Sequence, residues 1–392
     1  GLTVHGVLIT ISASCTLIAC SLSFYLIYRH LTNYTQPKLQ KLIIRILFMV
    51  PIYSIACLLS IPFYKAHVYI ASIYEFYESL VIASFFLLLC RYLHLDLPSL
   101  RRAFSLLIPK PWIYPIRFFR MYIFRRKTAH TVDGLRWFSI IWAAVFQFCI
   151  VKFLGALVKC ITEATNVYCK ESNSIHHARI WVQILEILSL VTAMLCLLQF
   201  YSQTKSFLAP HQPLLKFVAI KLVVFLFYVQ SFTISLLTKS SGPLSPTPQI
   251  SYPSLTVGIP NTLLCVEMAA VSILHLWAYP WKAHRDTSSA KPMADGGETS
   301  SSEALRVESE MEEGGYEESG KGRARGWKAA VGHVVSFGDV WRGVVEGGRG
   351  LSGRRRGGMG AVGLAGEEGE VLRTGSLGEA LRAVGGRGDV HL

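Results

Sequence analysis

Acidic residues are scarce in the first 281 residues of this chain, which hold 8 Asp and Glu against 23 Lys and Arg. Residues 282–392 lack cysteine and long apolar runs, and all nine cysteines lie between Cys15 and Cys265. The sequence also lacks a nucleotide-binding glycine loop, a Ser/His/Asp set and a His-Glu zinc motif. The chain therefore carries none of these common enzyme motifs. We expect that the protein is not an enzyme and has no cofactor and no metal centre.

Long apolar runs are what the sequence has in abundance, since 52% of its residues are hydrophobic. A membrane-spanning helix needs about 20 such residues. We predict an all-α membrane protein: a seven-transmembrane-helix bundle at 1–281 and a disordered cytoplasmic tail at 282–392. Pro51, Pro62 and Pro260 are expected to kink spans 2 and 7. The predicted spans are 5–28, 43–64, 70–92, 137–158, 180–201, 216–238 and 259–281.

Basic residues stand in alternate loops, which predicts the orientation of the protein in its membrane. The loops after spans 1, 3 and 5 carry the excess of Lys and Arg, so we place them and the tail in the cytoplasm and the N-terminus outside or in a lumen. The basic inner loop 101–127 is expected either to grip anionic headgroups or to be an ordinary positive-inside loop. A plasma membrane or an endomembrane, the vacuole included, suits this pattern, and we expect no nucleic-acid partner.

Charged residues also occur inside the predicted spans, where burial is costly unless the charge is paired or faces water. At 1.5 Å per residue, Glu78 and Glu267 lie roughly 12 Å below the outer ends of their spans, and Lys152 lies at a similar level. Glu75 and Glu186 complete this outer layer. A second layer nearer the cytoplasm contains Arg45, Lys221 and His275.

Two interpretations of this polar interior remain open. In the first, Lys152 pairs with Glu78 or Glu267, and the surplus carboxylates contact substrate or carry protons. In the second, the pairs only fix the packing of helices. Tyr77 is either a ring that stacks on a ligand or an interfacial anchor. The predicted substrate or proton pathway comprises Glu78, Lys152, Glu267, Glu186, Tyr77, His275 and Lys221.

A disulfide is a further option at the outer surface. Cys160 and Cys169 flank a short outer loop in a compartment that permits oxidation. Two free thiols remain the alternative.

Ordered motifs across the spans resemble the organic solute transporter α / transmembrane protein 184 family, in its fungal branch. They are the Asn-Tyr-Thr-Gln-Pro segment 33–37, then 45–53, the Tyr-Glu-Ser segment beginning at Tyr77, 199–201, 213, 216–217, 220–225, the Cys-Val-Glu-Met segment 265–268 and His275. The resemblance covers residues 1–281. It implies seven spans, transport of amphipathic organic solutes that are steroid- or lipid-like, and a small single-span partner subunit or a homo-oligomer.

The tail contains one stretch with helical spacing of apolar residues, 327–345, which is interrupted by glycines. Within it, Trp341 and Val344 fit the aromatic-x-x-aliphatic pattern that ubiquitin-like autophagy proteins bind. This motif supports an alternative to transport, in which the protein is a membrane scaffold or receptor-like protein that recruits cytosolic partners through its tail.

The predicted orientation is tested at the glycosylation sequon that begins at Asn33. On this topology Asn33 faces the cytosol, so the protein made in microsomes should keep the same electrophoretic mobility after glycosidase treatment. A glycan at Asn33 would overturn the orientation.

Overall fold

The structure is a computed structural model that describes residues 3–94, 97–112, 133–165, 167, 178–208, 215–220, 230, 233, 237, 252–284 and 338–352. Regular structure within these ranges is helical. The helices are α1 (Val4–Thr32), α2 (Pro37–Leu47), α3 (Met49–Ser60), α4 (His67–Leu93), α5 (Leu97–Leu106), α6 (Gly134–Ala164), α7 (Ala178–Leu208), α8 (Ile259–Ala278) and α9 (Gly338–Ser352).

Six segments of the described chain are long and apolar enough to cross a membrane. They contain α1, α2 together with α3, α4, α6, α7 and α8. The predicted sixth span, 216–238, is described only at 216–220, 230, 233 and 237, which are helical. The helical architecture of the described residues is therefore confirmed, and the count of seven spans, with its sixth span at 216–238, stays a prediction.

The described helices form two packed groups around α6 and α8. α4, α5, α7 and α9 pack against α6, whereas α1 and α3 pack against α8, and α3 and α4 join the two groups. Aromatic rings fill the interior beside α6: the Phe86 ring centroid lies 5.2–6.5 Å from those of four other rings, Phe138, Trp142, Phe146 and Phe200. Since lipid is as apolar as these rings, close packing rather than removal from water holds them together.

Small polar side chains join the group that contains α8. The Ser12 hydroxyl donates to Thr262 Oγ1 at 3.0 Å, and the Thr16 hydroxyl donates to the Ser54 carbonyl at 3.3 Å. Hydrogen bonds of this kind link α1 to α8 and to α3, as is usual for helices that associate inside a membrane.

The second span is broken where the sequence places Pro51. α2 ends at Leu47 and α3 begins at Met49, with Phe48 as a turn between them. Proline has no N–H to donate to the carbonyl four residues earlier, and its ring crowds that carbonyl, which here belongs to Leu47. The Tyr77 hydroxyl donates to the nearby carbonyl of Arg45 at 2.7 Å and so ties α4 to the broken span. The span is thus interrupted near Pro51, and the bend predicted there stays a prediction.

Several helix boundaries differ from the sequence-based ones by a few residues, and one of them bears on the site. α6 continues to Ala164, beyond the predicted end of span 4 at 158, so Lys159 lies within a helix rather than in an outer loop. In the tail, α9 overlaps the stretch 327–345, where helical spacing was noted. Residues 285–337 and 353–392 of the tail, residues 113–127 of the basic loop, Cys169 and Lys221 lie outside the described residues, so the predictions made for them stand untested.

The aromatic interior generates a stability test. Phe86 is fully buried among four rings, whereas Phe63 is 59% exposed. Phe86→Ala leaves a cavity and should cost about 3 kcal/mol or more, whereas Phe63→Ala should cost little. Thermal unfolding in detergent, followed by size-exclusion chromatography, measures both. Equal destabilisation by the two substitutions would contradict the packing described here.

Candidate functional site

Four charged side chains from three helices meet inside the bundle. They are Glu75 of α4, Lys152 and Lys159 of α6, and Glu186 of α7, which we call the charge cluster. Lys152 Nζ lies 2.9 Å from Glu186 Oε2 and 3.6 Å from Glu75 Oε2. Lys159 Nζ lies 2.9 Å from Glu186 Oε1 and also contacts Glu75 Oε2. Each lysine thus touches both carboxylates.

The spacing of residues on α6 explains why both lysines point to the same place. Lys152, Gly155 and Lys159 stand at i, i+3 and i+7, so they share one face of the helix. A Cβ at Gly155 would collide with Glu186 Oε1 and lie 3.4 Å from a methyl carbon of Val182. Glycine therefore lets α7 approach closely enough for Glu186 to lie between the two lysines.

The cluster is electrically balanced, because two lysines face two glutamates. Balance matters here, since an unpaired charge at this depth in a membrane would cost several kcal/mol. The side chains of Lys152 and Glu186 are 2% and 6% exposed, whereas those of Lys159 and Glu75 are 10% and 18% exposed. Exposure therefore increases along α6 from Lys152 towards Lys159, over roughly 10 Å of helix.

Aromatic rings adjoin the cluster. The rings of Phe76 and Phe153, the neighbours in sequence of Glu75 and Lys152, lie 5.7 Å apart between centroids. Phe153 is 49% exposed, and the Lys152 ammonium also lies 5.9 Å from the ring of Phe148. The ring contact shown for the cluster is that of Phe148 with Lys152, whereas Phe76 and Phe153 are neighbours of Glu75 and Lys152 along their helices.

The structure changes the pairing that the sequence suggested. Lys152 meets Glu186 and Glu75, whereas the sequence suggested either Glu78 or Glu267 as its partner. Glu78 is 4% exposed and lies one turn from Glu75 on α4. Glu267 belongs to α8, which packs on α1 and α3, and it forms no ion pair with Lys152 in the described part of the chain. The expected Lys152–Glu267 pair is therefore wrong.

Lys159 is the cluster residue that the sequence analysis missed as a site residue. Its spacing from Lys152, seven residues along the same helix, was the available signal. The predicted span ended at 158, which placed Lys159 in the outer loop and hid that signal. Glu75 belongs to the predicted outer layer but not to the predicted pathway, and it contacts both lysines.

The other predicted site residues are dispersed. Tyr77 donates its hydroxyl hydrogen bond to Arg45, which is a structural tie between helices. His275 is buried on α8, where its ring meets that of Tyr279 edge to face at 5.5 Å. Cys160 lies on α6 as a thiol, and because its predicted partner is not described, the disulfide stays a prediction.

The described ranges offer no metal site. No three His, Cys, Asp or Glu side chains come together there in a way that could hold an ion. The absence of a metal centre from the whole chain stays an expectation.

The family of the chain is shown by a family model described as organic solute transporter Ostalpha, which matches residues 8–284. The chain belongs to the Ostalpha family. Its match includes α1 to α8 and with them the whole charge cluster. Ostalpha proteins are membrane solute transporters, and six apolar helices identify this member as an integral multi-pass membrane protein. No solved structure matches the chain.

Charge balance in this Ostalpha protein is testable by double substitution. Lys152→Met leaves an uncompensated carboxylate in the cluster and should destabilise the protein by about 3–5 kcal/mol. Adding Glu186→Gln restores balance and should recover most of that loss. Thermal unfolding in detergent gives the change in unfolding temperature for the single and the double variant. Lys65→Met, in an exposed turn, is the control. If the losses of stability from Lys152→Met and from Glu186→Gln simply add in the double variant, the ion pair contributes nothing to stability.

Proposed function

We propose that this Ostalpha protein carries amphipathic organic solutes, steroid- or lipid-like anions among them, through a polar cavity at the charge cluster. The observation that carries the proposal is the cluster itself: two lysines buried beside two carboxylates and next to exposed aromatic surface. An amphipathic anion has the complementary parts, a charged head for the lysines and an apolar body for Phe76 and Phe153.

The exposure of the four side chains supports entry at the Lys159 end. Lys159 and Glu75 are the more exposed pair, and Lys152 and Glu186 are nearly closed off. An arriving anion displaces Glu75 from the ammonium of Lys159, and Glu75, the most exposed of the four side chains, either takes up a proton or turns to the outer solvent, so that no buried charge is left unpaired. Exchange of one anion for another avoids the energy of an unpaired buried charge, which is the main barrier to moving an ion through the bundle.

The proposed orientation places this entry on the outer side. α6 begins at Gly134 after the basic loop, which we assign to the cytoplasm, and ends at Ala164 near the outer surface. Lys159 is then about one turn from the outer end of the helix. The solute therefore meets the cluster from outside or from a lumen.

The test is uptake of a radiolabelled steroid sulfate into vesicles that contain the purified protein. Glu75→Gln with Lys159→Gln removes the outer pair but keeps the charge balance, so the protein should remain folded. Loss of one charge-assisted hydrogen bond should weaken apparent affinity about tenfold or more. Lys65→Gln, at an exposed position, is the matched control.

Uptake by the wild-type protein no faster than by empty vesicles would contradict the proposal. The same assay with and without a pH gradient separates a facilitative carrier from a proton-linked one. Deletion of 283–392 distinguishes the scaffold alternative, because a carrier keeps its flux without the tail, whereas a scaffold loses its cellular phenotype although the bundle still folds.

A further inference from the structure

The tail helix α9 is seated on the bundle at the Gly134 end of α6. It packs against α6 and also contacts α4, and Asp339 reaches α2. The residues that receive it are Lys41 and Arg45 of α2 and Trp142 and Phe146 of α6, which we call the α9 groove. Trp142 and Phe146 lie roughly 12 and 18 Å along α6 from its first residue, so α9 reaches membrane depth.

One face of α9 makes these contacts. Val340 is 4% exposed, and Val344 packs on the buried core one turn later. Gly343 lies on the same face, at i+3 from Val340. Trp341, in contrast, is 70% exposed. Burial thus follows the helical period, as it does for a helix seated in a groove.

Gly343 allows the closest approach between α9 and α6. A Cβ at this position would fall on the ring of Phe146, and the Gly343 carbonyl accepts a 2.8 Å hydrogen bond from Trp142 Nε1. Phe146 has no room to move aside, because it is 1% exposed and its ring stacks on Trp142 at 5.0 Å and meets Phe86 at 6.3 Å. Any larger residue at 343 is therefore incompatible with the docked helix.

Charge complementarity fixes the other end of the segment. The carboxylate of Asp339 contacts the ammonium of Lys41 and lies 3.7 Å from the guanidinium of Arg45. Arg45 is 1% exposed. An acidic residue at the start of α9 thus meets two basic residues of a membrane span, where compensation of charge is worth most.

We propose that residues 338–345 are a reversible plug that docks in the α9 groove and holds the carrier closed, an inference that rests on the proposed function. The contacts join α2 to α6, and α6 also carries Lys152 and Lys159. A movement of α6 relative to α2 during transport breaks the Asp339 contacts or the Trp142–Gly343 hydrogen bond. A transport step that moves α6 relative to α2 therefore requires α9 to leave the groove.

Docking also controls the Trp341–Val344 motif. A partner that recognises an aromatic-x-x-aliphatic motif has to contact its aliphatic side chain as well as its aromatic one. In the docked state the motif is helical, and Val344 and the Gly343 carbonyl are engaged with the bundle. Plug and partner are therefore mutually exclusive occupants of the same residues.

A cross-linking experiment tests the docking without any measure of transport. The full chain is prepared with Lys41→Cys and Asp339→Cys and with a protease site inserted between 285 and 337. The two introduced cysteines should form a disulfide in native membranes. After cleavage the tail fragment should stay attached on a non-reducing gel. The variant with Lys41→Cys and Trp341→Cys, in which Trp341 lies on the exposed face, should not cross-link, so its fragment should separate. Variants that carry one introduced cysteine each control for disulfides with the native thiols.

Gly343→Ala in that background should abolish the cross-link. Alanine favours a helix more than glycine does, so the loss cannot be ascribed to unfolding of α9. Trp341→Ala should leave the cross-link intact, although it destroys the partner motif. Failure of the Lys41–Asp339 pair to cross-link, or cross-linking that survives Gly343→Ala, overturns the proposal.

Flux of a steroid sulfate into vesicles then tests the role of the plug. Gly343→Ala should raise the uptake rate several-fold, and Trp341→Ala should leave it at the wild-type value. Unchanged uptake in Gly343→Ala, in a protein that transports and has lost the cross-link, overturns the plug while the proposed function stands. If neither the wild-type protein nor Gly343→Ala transports the steroid sulfate, the proposed function and the plug are both contradicted. The cross-link then still tests whether α9 docks on the bundle.

Discussion

Charge inside a membrane must be neutralised close by, and this constraint governs where the helices of this Ostalpha protein can lie. Lys152 and Lys159 occupy one face of α6, so α4 and α7 have to bring carboxylates to that face. Gly155 permits the approach of α7 by leaving space for Glu186. The three helices are thereby held in register by four side chains, and the aromatic interior packs around an arrangement that charge pairing has set.

The same constraint makes the cluster suitable for binding as well as for structure. A fully closed ion pair would only fix the helices, but exposure here increases from the Lys152 and Glu186 pair towards the Lys159 and Glu75 pair. In the proposed function, the inner pair anchors the bundle and the outer pair exchanges partners with an anion. At the other end of α6, the Asp339 carboxylate of the tail supplies charge to Lys41 and Arg45 by the same principle.

The sequence predicted what depends on local patterns. Apolar runs predicted the helical membrane domain, Pro51 marked the region in which the second span is interrupted, and helical spacing in the tail marked the region of α9. Lys152 and Glu186 were recognised because a charged residue in an apolar run is conspicuous. Their partners were not recoverable, since depth alone does not say which helices are neighbours: Glu267 lies at a suitable level but on α8, across the bundle from α6. Lys159 was missed because an end of a helix is poorly marked when polar residues follow it, and docking of α9 depends on a glycine contact that no periodicity reveals.

The central claim is that paired charges at Glu75 and Lys159 select an amphipathic anion. Equilibrium binding of a steroid sulfate to the purified protein, compared with binding of the uncharged steroid alcohol of the same skeleton, tests it most directly. The account predicts that the sulfate binds more tightly and that the preference disappears when Glu75 and Lys159 are both replaced by Gln. Equal binding of the two steroids by the wild-type protein would contradict it.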